Sequence, residues 1–175
     1  AVIDATGALR AEGKYIWEER TPSPSEWRRA LFALMEDIPQ QMRGQIRAIA
    51  LDGTSATVLL SDGQGDAVSD PLFYNDGRGA EVMEAVRAIA PDNHPVISAT
   101  SSFAKLIWLL ENYKPKNSCQ KYNFLHQADW LGFLLHGQLG ISDYHNALKL
   151  GYDVGKLSYP EWLTNALNYG KQTIT

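Results

Sequence analysis

The chain has 175 residues, 45% hydrophobic and 21% charged, with a net charge of −4. A chain of this size buries roughly 70% of its unfolded surface, so one domain with a real core needs no disulfide or metal. The acidic balance leaves no Lys/Arg stripe for nucleic-acid phosphates, the single cysteine, Cys119, excludes an intrachain disulfide and a Cys-rich zinc cluster, and no run of about 18 apolar residues is present to span a membrane.

A short apolar run, Ala1, Val2 and Ile3, meets the turn signal Asp4-Ala5-Thr6-Gly7. A second run holding Tyr15, Ile16 and Trp17 follows. This predicts a β-hairpin from Ala1 to Trp17. Ser23-Pro24-Ser25-Glu26 predicts a helix start, with Ser23 as N-cap, Pro24 in the first helical position and Glu26 closing a capping box. Trp27, Ala30, Leu31, Leu34, Met35 and Ile38 then form a helical stripe before Pro39. Burying its larger members contributes on the order of 10 kcal/mol, against about 1 kcal/mol for the cap, so the stripe fixes the helix and the cap its first residue.

The run from Ile46 to Leu51 reads as a buried central strand with the helix over 24–38 packed on the sheet, and Asp52-Gly53-Thr54-Ser55 breaks it. Val58-Leu59-Leu60 is a further strand, turning at 61–65. Pro71-Leu72-Phe73-Tyr74 is a fourth apolar segment, ended by Asn75-Asp76-Gly77-Arg78-Gly79. A helix carrying Val82, Ala85, Val86 and Ile89 stops at Pro91. Thr100, Ser101 or Ser102 caps the next, with Phe103, Leu106, Ile107 and Leu110. Another is expected over 124–136 with Gly137 in its C-terminal turn, and Ser158-Tyr159-Pro160-Glu161 forms a second capping box before Trp162 and Leu163. Strands and one helix first, helices afterwards, indicate an α/β layer with an added helical part.

Two segments are candidates for chemistry. Asp52-Gly53-Thr54-Ser55 lies at the expected C-terminal end of a strand, where open α/β sheets bind ligands. The Thr54 and Ser55 hydroxyls both donate and accept hydrogen bonds, as a polyhydroxylated ligand requires. The same residues also read as a plain connecting turn. In the second segment, Asp76 and Arg78 are placed either to meet a ligand or to pair with each other across a loop. His94, His126, His136 and His145 show no metal-ligand spacing, and His136 suits a helix C-terminus. Asp129 and Asp143 read as structural. Neither a G-x-x-x-x-G-K-[ST] loop nor G-x-G-x-x-G nor G-x-S-x-G occurs.

Taken in order, the pieces resemble the FGGY carbohydrate kinases. The residues that carry the resemblance are Val2-Ile3-Asp4-Ala5-Thr6-Gly7, the stretch 49–62 around Gly53-Thr54-Ser55, Leu72-Phe73-Tyr74-Asn75-Asp76-Gly77-Arg78, the helix 102–112, Asp129-Trp130-Leu131 and Ser142-Asp143-Tyr144-His145-Asn146-Ala147. The match runs to about Leu163. The polar ending over about 165–175 departs from the family's run into its second domain. The resemblance implies an actin-like, ribonuclease-H-like α/β fold with a mixed sheet, residues 1–175 being the sugar-binding N-terminal domain.

Glycerol kinases in the family carry Arg-Glu, and many bacterial xylulokinases Met-His, where Thr54-Ser55 stand. Gly53-Thr54-Ser55 is most similar to the plant and cyanobacterial ribulose- or xylulose-kinase-like group. The resemblance therefore implies a ketopentose such as D-ribulose or D-xylulose as the sugar partner, ATP as donor and Mg2+ as the metal. Gly53, Thr54, Ser55 and Asp76 are the implied sugar-binding residues. The family's first strand and Asp-x-Gly-Thr phosphate loop are expected ahead of Ala1, and the general-base Asp and adenosine-binding motifs beyond Thr175. No residue of this chain is therefore assigned a catalytic role. A cytoplasmic location is expected, or a plastid in a plant. The chain lacks an initiator Met, so any targeting segment would precede residue 1. The alternatives are a non-catalytic sugar-binding or scaffolding fragment of the same fold, or an unrelated α/β domain with matching turns.

Overall fold

The computed structural model describes residues 1–17, 21–113 and 121–168. Contacts divide the chain into two units, Ala1–Leu51 and Asp52–Thr175.

In the first unit, β1 (Val2–Ile3) pairs antiparallel with β2 (Leu9–Ala11). The Asp4 carboxylate sets the turn between them by accepting from the backbone of Thr6 and Ala8, the Thr6 hydroxyl and Arg10. These donors hold its pKa down at about 2. Gly7, at φ +83°, supplies the left-handed residue that the turn needs. The hairpin is thus where the sequence placed it, but its second strand is Leu9–Ala11. Tyr15 and Trp17 instead meet each other ring to ring, and Ile16 is exposed.

Helix α1 (Pro24–Glu36) begins with the expected Ser23–Glu26 capping box. Trp27 and Ala30 are buried, whereas Leu31, Leu34 and Met35 are half-buried and line a groove shared with Val2, Ala11 and Gly13. A two-stranded hairpin is too narrow to cover the whole stripe. A short helix α2 (Gln40–Arg43) follows.

Residues 46–51 are not a strand, which corrects the expected central strand. No described segment offers them an edge to pair with, and Ile49 is 56% exposed. An apolar run becomes a strand only where a neighbour completes its ladder.

That central position belongs to β3 (Val58–Ser61), buried on both faces. One edge of β3 pairs antiparallel with β4 (Asn123–His126), in the register Val58–His126 to Ser61–Asn123. The other edge is occupied by Leu72, through reciprocal backbone bonds with Val58, and by Val68 and the Ser69 hydroxyl on Leu60. The expected segment 71–74 is therefore a single bridge. The described strands form two separate two-stranded sheets, where one continuous mixed sheet was expected.

The helix expected over 124–136 is part strand. Residues 123–126 extend to pair with β3, and α5 (Gln127–His136) starts only after His126, ending at Gly137 in the left-handed conformation. A 3-10 turn, Arg78–Val82, leads into α3 (Met83–Ile89). Helix α4 (Ser102–Asn112) is capped by the Ser101 hydroxyl on the Ala104 amide, and α6 (Tyr144–Leu150) by Asp143. Helix α7 (Glu161–Asn168) follows an Asp153–Ser158 bridge. Of the polar ending, residues 169–175 lie outside the described residues. The core joins Val82, Val86, Val96, Phe103, Ile107 and Leu163, with a second cluster of Val58, Leu60, Leu72 and Leu109 under the sheet.

The 3-10 turn packs tightly against α4. A Cβ on Gly79 would lie 2.3 Å from the Ala99 carbonyl oxygen and 2.7 Å from the Ala104 Cβ, whereas one on Gly77 would meet nothing within 4 Å. Gly79→Ala should lower unfolding free energy in urea by about 1–3 kcal/mol, and Gly77→Ala should leave it within about 0.5 kcal/mol. Equal effects of the two changes would mean that this approach is looser than described.

Candidate functional site

Both candidate segments lie in the second unit, at the end of the β3–β4 ladder where β4 gives way to α5. Gly53 runs so close to α5 that an added Cβ would stand 2.9 Å from the Ala128 nitrogen. The Thr54 amide donates to Gln127 Oε1 (2.9 Å), and the Gln127 amide donates to the Thr57 carbonyl (2.9 Å). The Thr57 amide returns to the Thr54 carbonyl and closes a turn over 54–57, with Ala56 held at φ +61°. That conformation costs a non-glycine residue about 1–2 kcal/mol and persists only where its surroundings impose it. Thr54 and Ser55 are exposed, and the Ser55 hydroxyl makes no hydrogen bond to a described residue. The turn therefore stands without it.

The second segment is tied to the first. The Tyr74 amide donates to Thr57 Oγ1 (3.1 Å), Tyr74 itself is 58% exposed, and the Asp76 amide donates to the Phe73 carbonyl (2.9 Å). Asp76 and Arg78 do pair. Arg78 Nη2 donates to Asp76 Oδ2 at 2.6 Å and Nε to both carboxylate oxygens at 3.0 Å. The guanidinium lies over the Trp108 ring, 4.7 Å from its centroid, and the Trp108 indole donates to Glu81 (2.9 Å). The Arg78 hydrogen bonds hold the Asp76 carboxyl below the usual aspartate range, against the opposing effect of burial.

Between the segments lies Lys105, fully buried in α4, with Nζ donating to the carbonyls of Ala56 and Phe73, each at 2.6 Å. Reading the sequence for sites missed it. The signal was there, since Lys105 is the lone charge in the run Phe103-Ala104-Lys105-Leu106-Ile107-Trp108-Leu109-Leu110. Gln127 and Thr57 were missed too, and nothing local in the sequence marks them.

The N-terminus of α4 is fastened nearby by Ser102, His126 and Asp129. His126 Nδ1 lies 3.1 Å from Asp129 Oδ2, a carboxylate oxygen that can only accept, and Nε2 shares a hydrogen bond with the Ser102 hydroxyl at 2.8 Å. The order copies a hydrolytic triad, but Ser102 is fully buried, so no substrate reaches its oxygen. The trio joins α4 to the β4–α5 junction. Asp129 and Asp143 are structural, as expected: Asp143 is the N-cap of α6, and Asp129, third in α5, accepts from the His126 backbone amide. Among the described residues, no three His, Cys, Asp or Glu side chains converge as metal ligands, and no helix is long and apolar enough to cross a membrane.

The folded-state pKa of Asp76 lies below that of the unfolded chain. Its contribution to stability is therefore complete above the unfolded value, about 3.9, and is lost as pH falls through the folded one. Arg78→Met should raise the Asp76 midpoint in a carboxyl-carbon NMR titration. The stability gap between variant and wild type at pH 7 should close in acid below that range. An unchanged midpoint would show that Arg78 does not control this carboxylate.

No protein-family model matches the sequence. Among solved structures, the chain is similar to a glycerol kinase of Plasmodium falciparum, crystallised with ADP, at a TM-score of 0.65 and 19% identity over 91% of this chain and 35% of that one. It is also similar to a xylulose kinase of Bifidobacterium adolescentis, at a TM-score of 0.52 and 16% identity over 80% of this chain and 35% of that one. The chain thus spans about a third of either enzyme, and it has the expected actin-like α/β fold.

Proposed function

We propose that the chain is the sugar-binding lobe of an ATP-dependent carbohydrate kinase of the FGGY type, acting on a ketopentose such as D-ribulose or D-xylulose. One observation carries the reading. In a fold shared with a glycerol kinase and a xylulose kinase, two turns rich in hydroxyl and aromatic groups are fastened to one buried nitrogen and leave Thr54, Ser55 and Tyr74 exposed.

In this reading the free Ser55 hydroxyl, with Thr54 beside it, donates to and accepts from sugar hydroxyls. Gly53 lets the turn lie against α5. The Asp76–Arg78 pair forms a fixed wall of the same site, since Arg78 already holds the carboxylate. Kinases of this class work by positioning a sugar hydroxyl in line with the terminal phosphate, and the residues named here supply that positioning. Following the family resemblance, the reading assigns ATP, Mg2+ and the proton-accepting Asp to the phosphate loop and second domain of a parent protein. It also holds that the 175-residue chain alone gives no ketose-dependent ATP hydrolysis. Turnover above a no-protein blank in a coupled assay with magnesium ATP would contradict that.

The Gly53-Thr54-Ser55 turn, similar to that of the ribulose- or xylulose-kinase-like group and unlike the Arg-Glu pair of glycerol kinases, favours a ketopentose over glycerol. Losing one neutral hydrogen bond costs about 0.5–1.5 kcal/mol, so Ser55→Ala should weaken ketose binding roughly 2- to 12-fold. The melting temperature should hold, because the hydroxyl has no described partner in the fold. Calorimetric titration beside a thermal melt reads both. A variant that melts earlier and binds sugar unchanged would return Ser55 to a purely structural turn.

A further inference from the structure

Lys105 is buried on a helix whose neighbouring positions are apolar, and a buried ammonium is costly unless hydrogen bonds satisfy it. An uncharged side chain would fill the same slot in α4 without that cost. What the ammonium does is visible in its partners. The Ala56 carbonyl belongs to the turn bearing Thr54 and Ser55, and the Phe73 carbonyl to the segment bearing Tyr74 and Asp76. Ala56 is also the residue held in the left-handed conformation, so the bond falls where the backbone most needs restraint.

We propose that Lys105 is a positioning residue of the candidate sugar site, its ammonium fixing the spacing between the Thr54–Ser55 turn and the Tyr74–Asp76 segment. This rests on the sugar-site reading of those two turns. The charged groups that face the ammonium are Asp76, which favours its charge, and Arg78, which opposes it, while burial pushes its pKa down to about 8. Above that pH the two carbonyl bonds lose their charge assistance and weaken. Stability moves the other way. The unfolded chain holds the Lys105 proton up to about 10.5, so it binds more protons than the folded chain between about 8 and 10.5, and folding stability from this group rises with pH there. A lysine that only supports the fold would change stability across this window and leave sugar affinity alone.

The test compares the wild-type chain with Lys105→Met by amide hydrogen exchange and by titration with D-xylulose and D-ribulose. Exchange at the Thr57 and Tyr74 amides should quicken about 10-fold or more, with the β3–β4 ladder and α4 still protected, and ketose affinity should fall by a similar factor. Wild-type affinity should weaken above about pH 8, and that step should vanish in the variant. Unchanged exchange in the two turns would overturn the proposal, as would an equal loss of protection through α4 and the ladder. Should the wild-type chain bind neither ketose, the sugar reading fails, and the exchange arm still decides whether Lys105 fixes the turns. Should Lys105→Met not fold, Lys105→Gln, which is uncharged and one atom too short to hold both carbonyls as the ammonium does, is measured at the same two amides. Faster exchange confined to the turns would then support the proposal, and unchanged exchange would overturn it.

Discussion

The Lys105 ammonium, sunk in α4 with the Ala56 and Phe73 carbonyls on its nitrogen, is the contact that ties both candidate turns to one helix. It joins two backbone segments 17 residues apart in sequence at a point where neither belongs to a ladder. Around it stand weaker ties of the same sense: Thr57 Oγ1 on the Tyr74 amide, Gln127 on the Thr54 amide, and His126 between Ser102 and Asp129. The Lys105 and Gln127 bonds run from α4 and α5 to the turns, so the turns inherit the rigidity of the helices. A site built this way keeps exposed hydroxyls in fixed positions, which is what recognition of a small polar ligand demands.

The sheet contributes through β3. Its four residues are buried on both faces and bonded at both edges, so it anchors the chain just before it, residues 53–57. Gly53 completes the placement, since any side chain there would push the turn off α5. The core clusters hold α4, which carries Lys105, and the 3-10 turn that begins at Arg78. Packing and site are therefore one construction, and the left-handed Ala56 sits inside the turn closed by the Thr57–Thr54 bond with its carbonyl held by Lys105.

Local chemistry was legible in the sequence where one residue type forces one geometry. The Ser23–Glu26 box, the Asp4–Gly7 turn and Gly137 stand where their spacing put them, and of the three cap candidates over 100–102 it is Ser101 that caps α4. Pairing was not legible, because a strand is defined by a neighbour. Residues 46–51 have the composition of a core strand but, among the described residues, no edge to bond, while 124–126 read as helix and instead extend as part of β4 to pair with β3. The Gly53–Ser55 and Asp76 turns were visible from their turn residues. The Asp76–Arg78 pairing was one of the two arrangements their spacing allowed. What ties the turns was not read: Lys105 and Gln127 lie far from the turns in sequence, and Thr57, within the first turn, bonds Tyr74 of the second. Of the three only Lys105 carried a mark, as the lone charge in its apolar run.

The central claim is that these two turns form a single ketose-binding surface. Backbone amide NMR of the wild-type chain during titration with D-xylulose tests it most directly. Shift changes should gather at Gly53, Thr54, Ser55 and Thr57 and at Tyr74, Asp76 and Arg78, with one dissociation constant fitting both groups. No shifts at saturating sugar, shifts confined to one turn, or shifts centred on the Ala1–Leu51 unit would contradict it.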